Sequence, residues 1–350
     1  MKRKLLVAVP LLCLVALLAW FFRPKHESLG EAYVSERTVT LFSSIAQVRE
    51  QVGVLYYGER VEVLAHRNDN AKVRTAAGVE GWVDSRYLMD PGLWQRSEKL
   101  LADSKGMAVQ ARGRTKATTN LRIAPGRNEP RLYQFGRGTE VEIFGRAVAD
   151  WVQVTDEKEA VEGETNKKED WYLVRGIATR PPGEGSIRNS AMMTTTQPGD
   201  QTIPIAGWVV ARFISLDLPD PVSTGLSAAN VRPVAWFELN RVTDDSGDHP
   251  QYLTAGTRSP EGELCDFTTI RVFTWNPKKS RYETAYIENN LCGALPIQVG
   301  RGPRGEPEFR FRDKGGVTGQ RVYHLVQTVV RRVREEPAKG SVRKTAKGKR

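Results

Sequence analysis

The chain has 350 residues, a length that favours two or three domains, each large enough to bury its own core. Its net charge of +11 sits at the two ends: residues 1–26 carry five Lys/Arg and no acid, residues 331–350 nine against two, and the 304 residues between them 38 basic and 39 acidic groups. A basic groove on the folded body is not implied, and nucleic acid is not an expected partner.

Residues 5–22 form an uncharged, mostly apolar run between Lys2-Arg3-Lys4 and Arg23/Lys25. As a helix this run is about 27 Å long, enough to span a bilayer. The basic cluster belongs on the cytoplasmic side, and Trp20, Phe21 and Phe22 suit the far interface, so the rest of the chain is expected to be periplasmic or extracellular. The best cleavage site, after Ala19, has Leu17 at −3 and Trp20 following it. That favours a single-pass anchor over residues 1–26 rather than a cleaved signal peptide. Lipid attachment at Cys13 is disfavoured because Leu12 precedes it.

The phrase EGWVDSRYLMD recurs 126 positions later as AGWVVARFISLD, aligning Trp82 with Trp208 and Arg86 with Arg212. Upstream, GERVEV from Gly58 matches GTEVEI from Gly138, and Leu41 matches Leu121, at an offset of 80. Such self-similarity marks an internal repeat. Each copy is a series of β-branched and aromatic runs broken by glycine, the pattern of half-buried strands joined by tight turns. The first copy is assigned to residues 35–90. Residues 91–115 are a helical linker with Leu93, Trp94, Leu100 and Leu101 on its apolar side. The second copy occupies residues 116–219, and polar insertions at 156–170 and 176–205, with the composition of mobile loops, account for its extra length.

The order TNLRIAPG, G-x-x-V-E-I, W-x-L-V, GWV-x-x-R-F-I resembles the bacterial Src homology 3 family. The second copy carries the fuller match, whereas the first has VTLFSSIAQ where the opening motif belongs. The resemblance implies two small β barrels, each closed by its GWV strand, and binding to peptidoglycan or an envelope protein. Aromatic side chains at strand ends and loops are the candidate ligand contacts: Tyr56, Tyr57 and Tyr87 in the first copy, and Tyr133, Trp151 and Trp171 in the second. Trp82 and Trp208, in the closing strands, are expected to fill the cores.

Residues 232–336 read as an antiparallel β domain of six runs, followed by a basic, disordered tail at 337–350. In the last run Val322, His324, Val326, Thr328 and Val330 share one face at period two, so a strand is expected there, paired through the KGGVTG turn. The order QYLTAGT, IRVFTWN, RYETAY faintly resembles one blade of an FG-GAP-type propeller. Asp244, Ser246 and Asp248 begin an oxygen-rich pattern, but Gln251 and Tyr252 stand where a further acidic calcium ligand belongs. A plain acidic turn is expected, and no metal or other cofactor. Cys265 and Cys292, in an exported protein, are expected to form a disulfide.

No HExxH, CxxC, phosphate loop or GxSxG occurs. The sequence therefore reads as a mainly β protein: an N-terminal transmembrane helix, two Src homology 3-like barrels and a C-terminal antiparallel β domain, non-catalytic and held at the cell envelope. Two alternatives remain open. One is a cell-wall hydrolase pairing a cysteine with His249 or His324; the other is a purely protein–protein scaffold.

Overall fold

Runs such as Arg60–Arg67 alternate valine with charge, and a strand turns that alternation into one buried face: Val61 and Val63 are buried while Arg60 and Glu62 are exposed. The computed structural model describes residues 28–151, 167–180, 201–315 and 319–333. The expected transmembrane segment and basic tail lie outside them. Among the described residues no helix is long and apolar enough to cross a membrane.

Gly30–Val34 (β1), Thr38–Phe42 (β2), Gln51–Tyr56 (β3), Arg60–Arg67 (β4), Asn70–Arg74 (β5), Glu80–Asp84 (β6) and Leu88–Met89 (β7) form one antiparallel sheet in the order β3-β2-β6-β5-β4-β1-β7. It surrounds a core that includes Val34, Leu41, Leu55, Val61, Val73 and Val83. After the helix Pro91–Ser104 (α1) comes a second antiparallel sheet of Ala111–Thr115 (β8), Thr119–Arg122 (β9), Arg131–Phe135 (β10), Glu140–Asp150 (β11), Lys168–Arg180 (β12), Gln201–Val210 (β13) and Ile214–Leu216 (β14). Its order, β10-β9-β13-β12-β11-β8-β14, repeats the first strand for strand. Gly58 and Gly138, 80 apart, both adopt positive φ (76° and 81°), where a side chain would strain the turn.

The structure differs from the sequence reading in several places. β1 begins the first sheet before residue 35. Within the expected linker the helix stops at Ser104, and Ala111–Thr115 is already a strand of the second sheet. The insertion expected at 176–205 is in part a ribbon, because β12 and β13 stay paired from Arg175↔Ala206 out to Arg180↔Gln201. Inward Ala178 and Ile205 give this ribbon a buried side that its polar composition hid.

The closing strands invert a second expectation. Trp82 and Trp208 are half-buried on the outer face, while Gly81 and Gly207 point inward. A Cβ on Gly81 would lie 2.5 Å from the Leu41 side chain and 2.8 Å from the Phe42 carbonyl oxygen. On Gly207 it would lie 2.6 Å from Leu121 and 2.8 Å from the Arg122 carbonyl oxygen. The strand crossing at that point leaves room only for glycine. In GWV, glycine and valine are therefore the inward residues and tryptophan the outward one.

Beyond Asp220–Ala228 (α2), a second helix that lacked any apolar periodicity long enough to be read, the C-terminal region is two four-stranded antiparallel meanders. Arg232–Asp244 (β15), Gly247–Thr257 (β16), Thr269–Asn276 (β17) and Arg281–Glu288 (β18) form one. Gly293–Arg301 (β19), Pro307–Asp313 (β20), Gln320–Val326 (β21) and Val329–Val333 (β22) form the other. Both contribute to a single core containing Leu253, Ile270, Val272, Ile297, Phe309 and Tyr323, which makes a two-sheet sandwich rather than a propeller blade. The final run is two strands, turning back at Gln327 with φ 55°. Tyr323, Leu325 and Val330 face the core and Val322, His324 and Val326 the other side, so Val330 does not share the face of Val322 as period two through the whole run requires. Cys265 and Cys292 are bridged, closing a separation of 27 residues. In the chain-entropy model such a loop contributes about 3 to 4 kcal/mol.

The second sheet and the sandwich share a polar junction. Gln110 is fully buried. Its N–H donates to Ile143 O (2.7 Å), its carbonyl accepts from Trp236 N (3.0 Å), and its side-chain amide accepts from Ile297 N (2.7 Å) and donates to Ile297 O (3.2 Å). Arg146, 3% exposed, donates to Asp170 (2.5 Å), Asp266 (3.0 Å) and Glu263 O (2.8 Å). Asp170 also accepts from Arg232 (3.0 Å) and Gly262 N (2.8 Å). Burial pushes the Asp170 carboxyl up, but Arg146, the Gly262 N–H and Arg232 outweigh it and hold the group below its ordinary value.

Two predictions follow from this packing. Gly207→Ala should lower stability by about 1 to 3 kcal/mol, the range for overpacking, and by more than Trp208→Ala; urea melts giving the reverse order would put Trp208 in the core. Arg146→Leu leaves Asp266 without its cation and Asp170 with Arg232 alone, and should cost about 3 to 5 kcal/mol. Because the folded carboxyl of Asp170 titrates low, its contribution is fully present above the unfolded value of 3.8 and is lost as pH falls below it. Acid melts of wild type should therefore steepen there, and those of Arg146→Leu should steepen less.

Candidate functional site

Directly paired residues on a pleated sheet face the same way, so register alone assembles the outer surface around each tryptophan. In the N-terminal sheet the row reads Gln51–Phe42–Trp82–Lys72–Ala65. In the second sheet the matching row reads Arg131–Arg122–Trp208–Leu173–Gly145. Phe42 and Arg122, Gln51 and Arg131, Ala65 and Gly145 are each 80 positions apart, so these are the same places in two copies of one frame.

The chemistry at these places differs. Around Trp82 the surface is aromatic, and Lys72 and Arg74 are paired with a carboxylate. The Arg49 guanidinium lies 3.8 Å from the centroid of Phe42, and Lys72 and Arg74 both bind Glu80 at 2.7 Å. Hydrogen bonds from Lys72 and then Arg74 hold the Glu80 carboxyl down at about 2.

Around Trp208 the surface is cationic. Arg122 and Arg131 stand directly opposite one another on β9 and β10. The loop between them carries Arg127, whose guanidinium binds Glu169 through Nε (2.9 Å) and Nη2 (3.0 Å) and lies 5.7 Å from the ring centroid of Trp151. Lys167 Nζ is 5.2 Å from the same ring. Arg122 donates through Nη1 to Glu129 O (2.5 Å). Burial, then Arg131 and Arg127, push its guanidinium below its ordinary value, and Glu129 and Glu169 offset only part of this. Glu169, 1% exposed, also binds Arg212 (2.7 Å), which binds Glu261 of the sandwich (3.1 Å).

A concavity of about 500 Å³ lies elsewhere on the same sheet, over Val141, Gly176, Ile177 and Pro204. Its charges pair among themselves: Arg175 with Glu142 (2.6 Å), Arg112 with Glu142 (3.5 Å), Arg114 with Glu140 (2.8 Å) and Asp217 (3.4 Å).

Of the six aromatics singled out in the sequence, four are interior: Tyr56 is 8% exposed, Tyr57 2%, Tyr133 4% and Trp171 1%. Tyr56, Tyr133 and Trp171 lie in strands and Tyr57 in the turn after β3, and none offers an accessible ring. Tyr87 and Trp151 are half-buried, with Arg86 and with Arg127 and Lys167 respectively near their rings. The sequence reading puts the outward pair Trp82 and Trp208 in the core and does not single out Arg122 or Arg131. Arg122 is the arginine of TNLRIAPG, so the signal for it was already in the motif.

The remaining sequence candidates are engaged structurally. Asp244 accepts from Ser246 N (2.8 Å), Ser246 Oγ (2.5 Å) and Trp275 Nε1 (2.6 Å), and hydrogen bonds from Ser246 and Trp275 hold its carboxyl below the carboxylate range. It closes the turn between β15 and β16, and His249 stacks on Trp275 at 3.7 Å. Among the described residues no group of His, Cys, Asp and Glu is arranged to hold a metal ion. Cys265 and Cys292 are consumed by their bridge, and His324 lies between Glu306 and Glu308, 3.0 Å from each.

Comparison with known proteins places a bacterial SH3 domain at residues 47–89, in the N-terminal sheet rather than in the copy whose motif looked fuller. No curated protein matches the chain. Among solved structures it is similar to an NlpC/P60 family protein from Bacillus cereus ATCC 10987, at 12% identity and a TM-score of 0.21 over 59% of this chain. It is also similar to NlpC2 and NlpC1 from Trichomonas vaginalis, at 9% and 10% identity and a TM-score of 0.16 each, over 87% of this chain and 91% and 87% of theirs. The chain spans 64% of the length of the Bacillus cereus protein. At these TM-scores the likeness carries no argument about fold or chemistry. What stands is a mainly β chain of antiparallel sheets that contains a bacterial SH3 domain.

Proposed function

We propose that this is a non-catalytic envelope protein in which two bacterial Src homology 3-like barrels bind peptidoglycan or an envelope protein. Residues 5–22 hold the chain in the cytoplasmic membrane, and the barrels and C-terminal domain stand on its periplasmic or extracellular side. The observation that carries the reading is the repeated outward tryptophan: a large ring at one register of two sheets with the same strand order, one of them matched as a bacterial SH3 domain. A half-buried indole beside polar neighbours suits stacking on a sugar or a peptide group. With two such faces on one chain, each weak site raises the effective concentration of the other on a shared polymer.

The hydrolase alternative required a cysteine–histidine pair in the C-terminal domain. Both of that domain's cysteines are in the disulfide, and His249 and His324 are committed to Trp275 and to two glutamates. No observation favours it. The test is co-sedimentation of the full chain, in mild detergent, with purified sacculi. Saturable pelleting is expected, weakened several-fold by Trp82→Ala or Trp208→Ala and further by both. No pelleting at low salt would sink the proposal.

A further inference from the structure

We propose that the Arg122–Arg131 face of the second sheet, rimmed by Trp151 and Lys167, is a carboxylate-binding site for the peptide moiety of the wall polymer; this rests on the wall-binding reading above and gives its second barrel a ligand class. Like charges placed directly opposite on neighbouring strands destabilise a sheet, and Arg122 and Arg131 are so placed. Elsewhere on this sheet the outward arginines are neutralised: Arg112, Arg114 and Arg175 each contact a carboxylate. Arg122 is the exception. It is half-buried, and among the described residues no carboxylate forms an ion pair with it. Of its five N–H donors, one contact is satisfied, by the carbonyl oxygen of Glu129.

Burial and two neighbouring guanidiniums both disfavour the charge on Arg122, and a bound anion would relieve both effects at once. Its planar fork fits a carboxylate in bidentate geometry. Trp208 lies beside it in the same row and Trp151 stands between Arg127 and Lys167, so apolar surface is at hand for the groups that carry the carboxylate. Arg122 is set between Arg131 and Trp208, a position that a carboxylate on a flexible peptide reaches and the plane of a bilayer does not. The equivalent face of the N-terminal sheet has Phe42 and Gln51 at these two places and lacks the site.

The test uses the full chain with three probes: native sacculi, sacculi whose carboxyls have been amidated, and vesicles containing anionic phospholipid. Arg122→Gln/Arg131→Gln should weaken binding to native sacculi about tenfold, and Arg122→Lys/Arg131→Lys, which keeps the charge but loses the bidentate fork, by a smaller factor. Amidation should weaken wild type to a similar degree and leave the glutamine variant nearly unchanged. The amidation arm needs no variant, so the outcome stands even if the glutamine pair misfolds. Wild type that pellets equally with native and amidated sacculi overturns the carboxylate site while leaving wall binding intact. The same holds if the glutamine variant loses vesicle binding and keeps sacculus binding. Wild type that does not pellet at all overturns both.

Discussion

The two N-terminal sheets depend on one close approach, the crossing of β2 over Gly81 and of β9 over Gly207. Carbonyl oxygens of Phe42 and Arg122 come within 2.8 Å of where a Cβ would stand, and the side chains of Leu41 and Leu121 come nearer still. This contact seals each core along its closing strand. It also decides where the neighbouring tryptophan goes, since a strand that must present glycine inward presents the next residue outward. The repeated phrase is thus a steric requirement first, and an outward, half-buried indole is its consequence.

Because the frame is fixed by inward residues, the outward row is free to differ. Leu41 and Leu121, Val61 and Val141, Val63 and Ile143 are near-identical interior choices, whereas Phe42 and Gln51 give way to Arg122 and Arg131. Two facing guanidiniums in place of an aromatic and an amide set like charges directly opposite one another, an arrangement that disfavours pairing of β9 with β10. The divergence is confined to the row that holds the tryptophan, and the shared core does not require it.

Much of the fold was legible because strand periodicity and turn glycines are local signals. The strand runs and the linker helix rest on such signals, the disulfide on there being two cysteines in a chain read as exported, and the offset of 80 located the repeat. Parity was harder to read. Whether Trp82 or Gly81 faces inward depends on a strand distant in sequence crossing at that point, which no window of the sequence contains. The same long-range dependence placed Tyr323 and Leu325, not Val322 and His324, in the sandwich core, because the run turns back at Gln327. Trp171 was misread for a related reason: it lies in a strand next to a polar insertion, yet pairing with Val210 and Ala147 buries it.

The C-terminal sandwich is tied to the candidate site by charge. Glu261 binds Arg212, Arg212 shares Glu169 with Arg127, and Arg127 lies against Trp151. A buried carboxylate such as Glu169 is stable only while its cations stay in place, so the sandwich loop that supplies Glu261 helps fix the loop that carries Arg127. Arg146 and Asp170 anchor the same sandwich loop through Glu263, Asp266 and Gly262, next to the Cys265 bridge. The third domain therefore has a physical role that needs no ligand of its own: it holds the β9–β10 loop, and with it the spacing of Arg122, Arg127 and Arg131, in one arrangement.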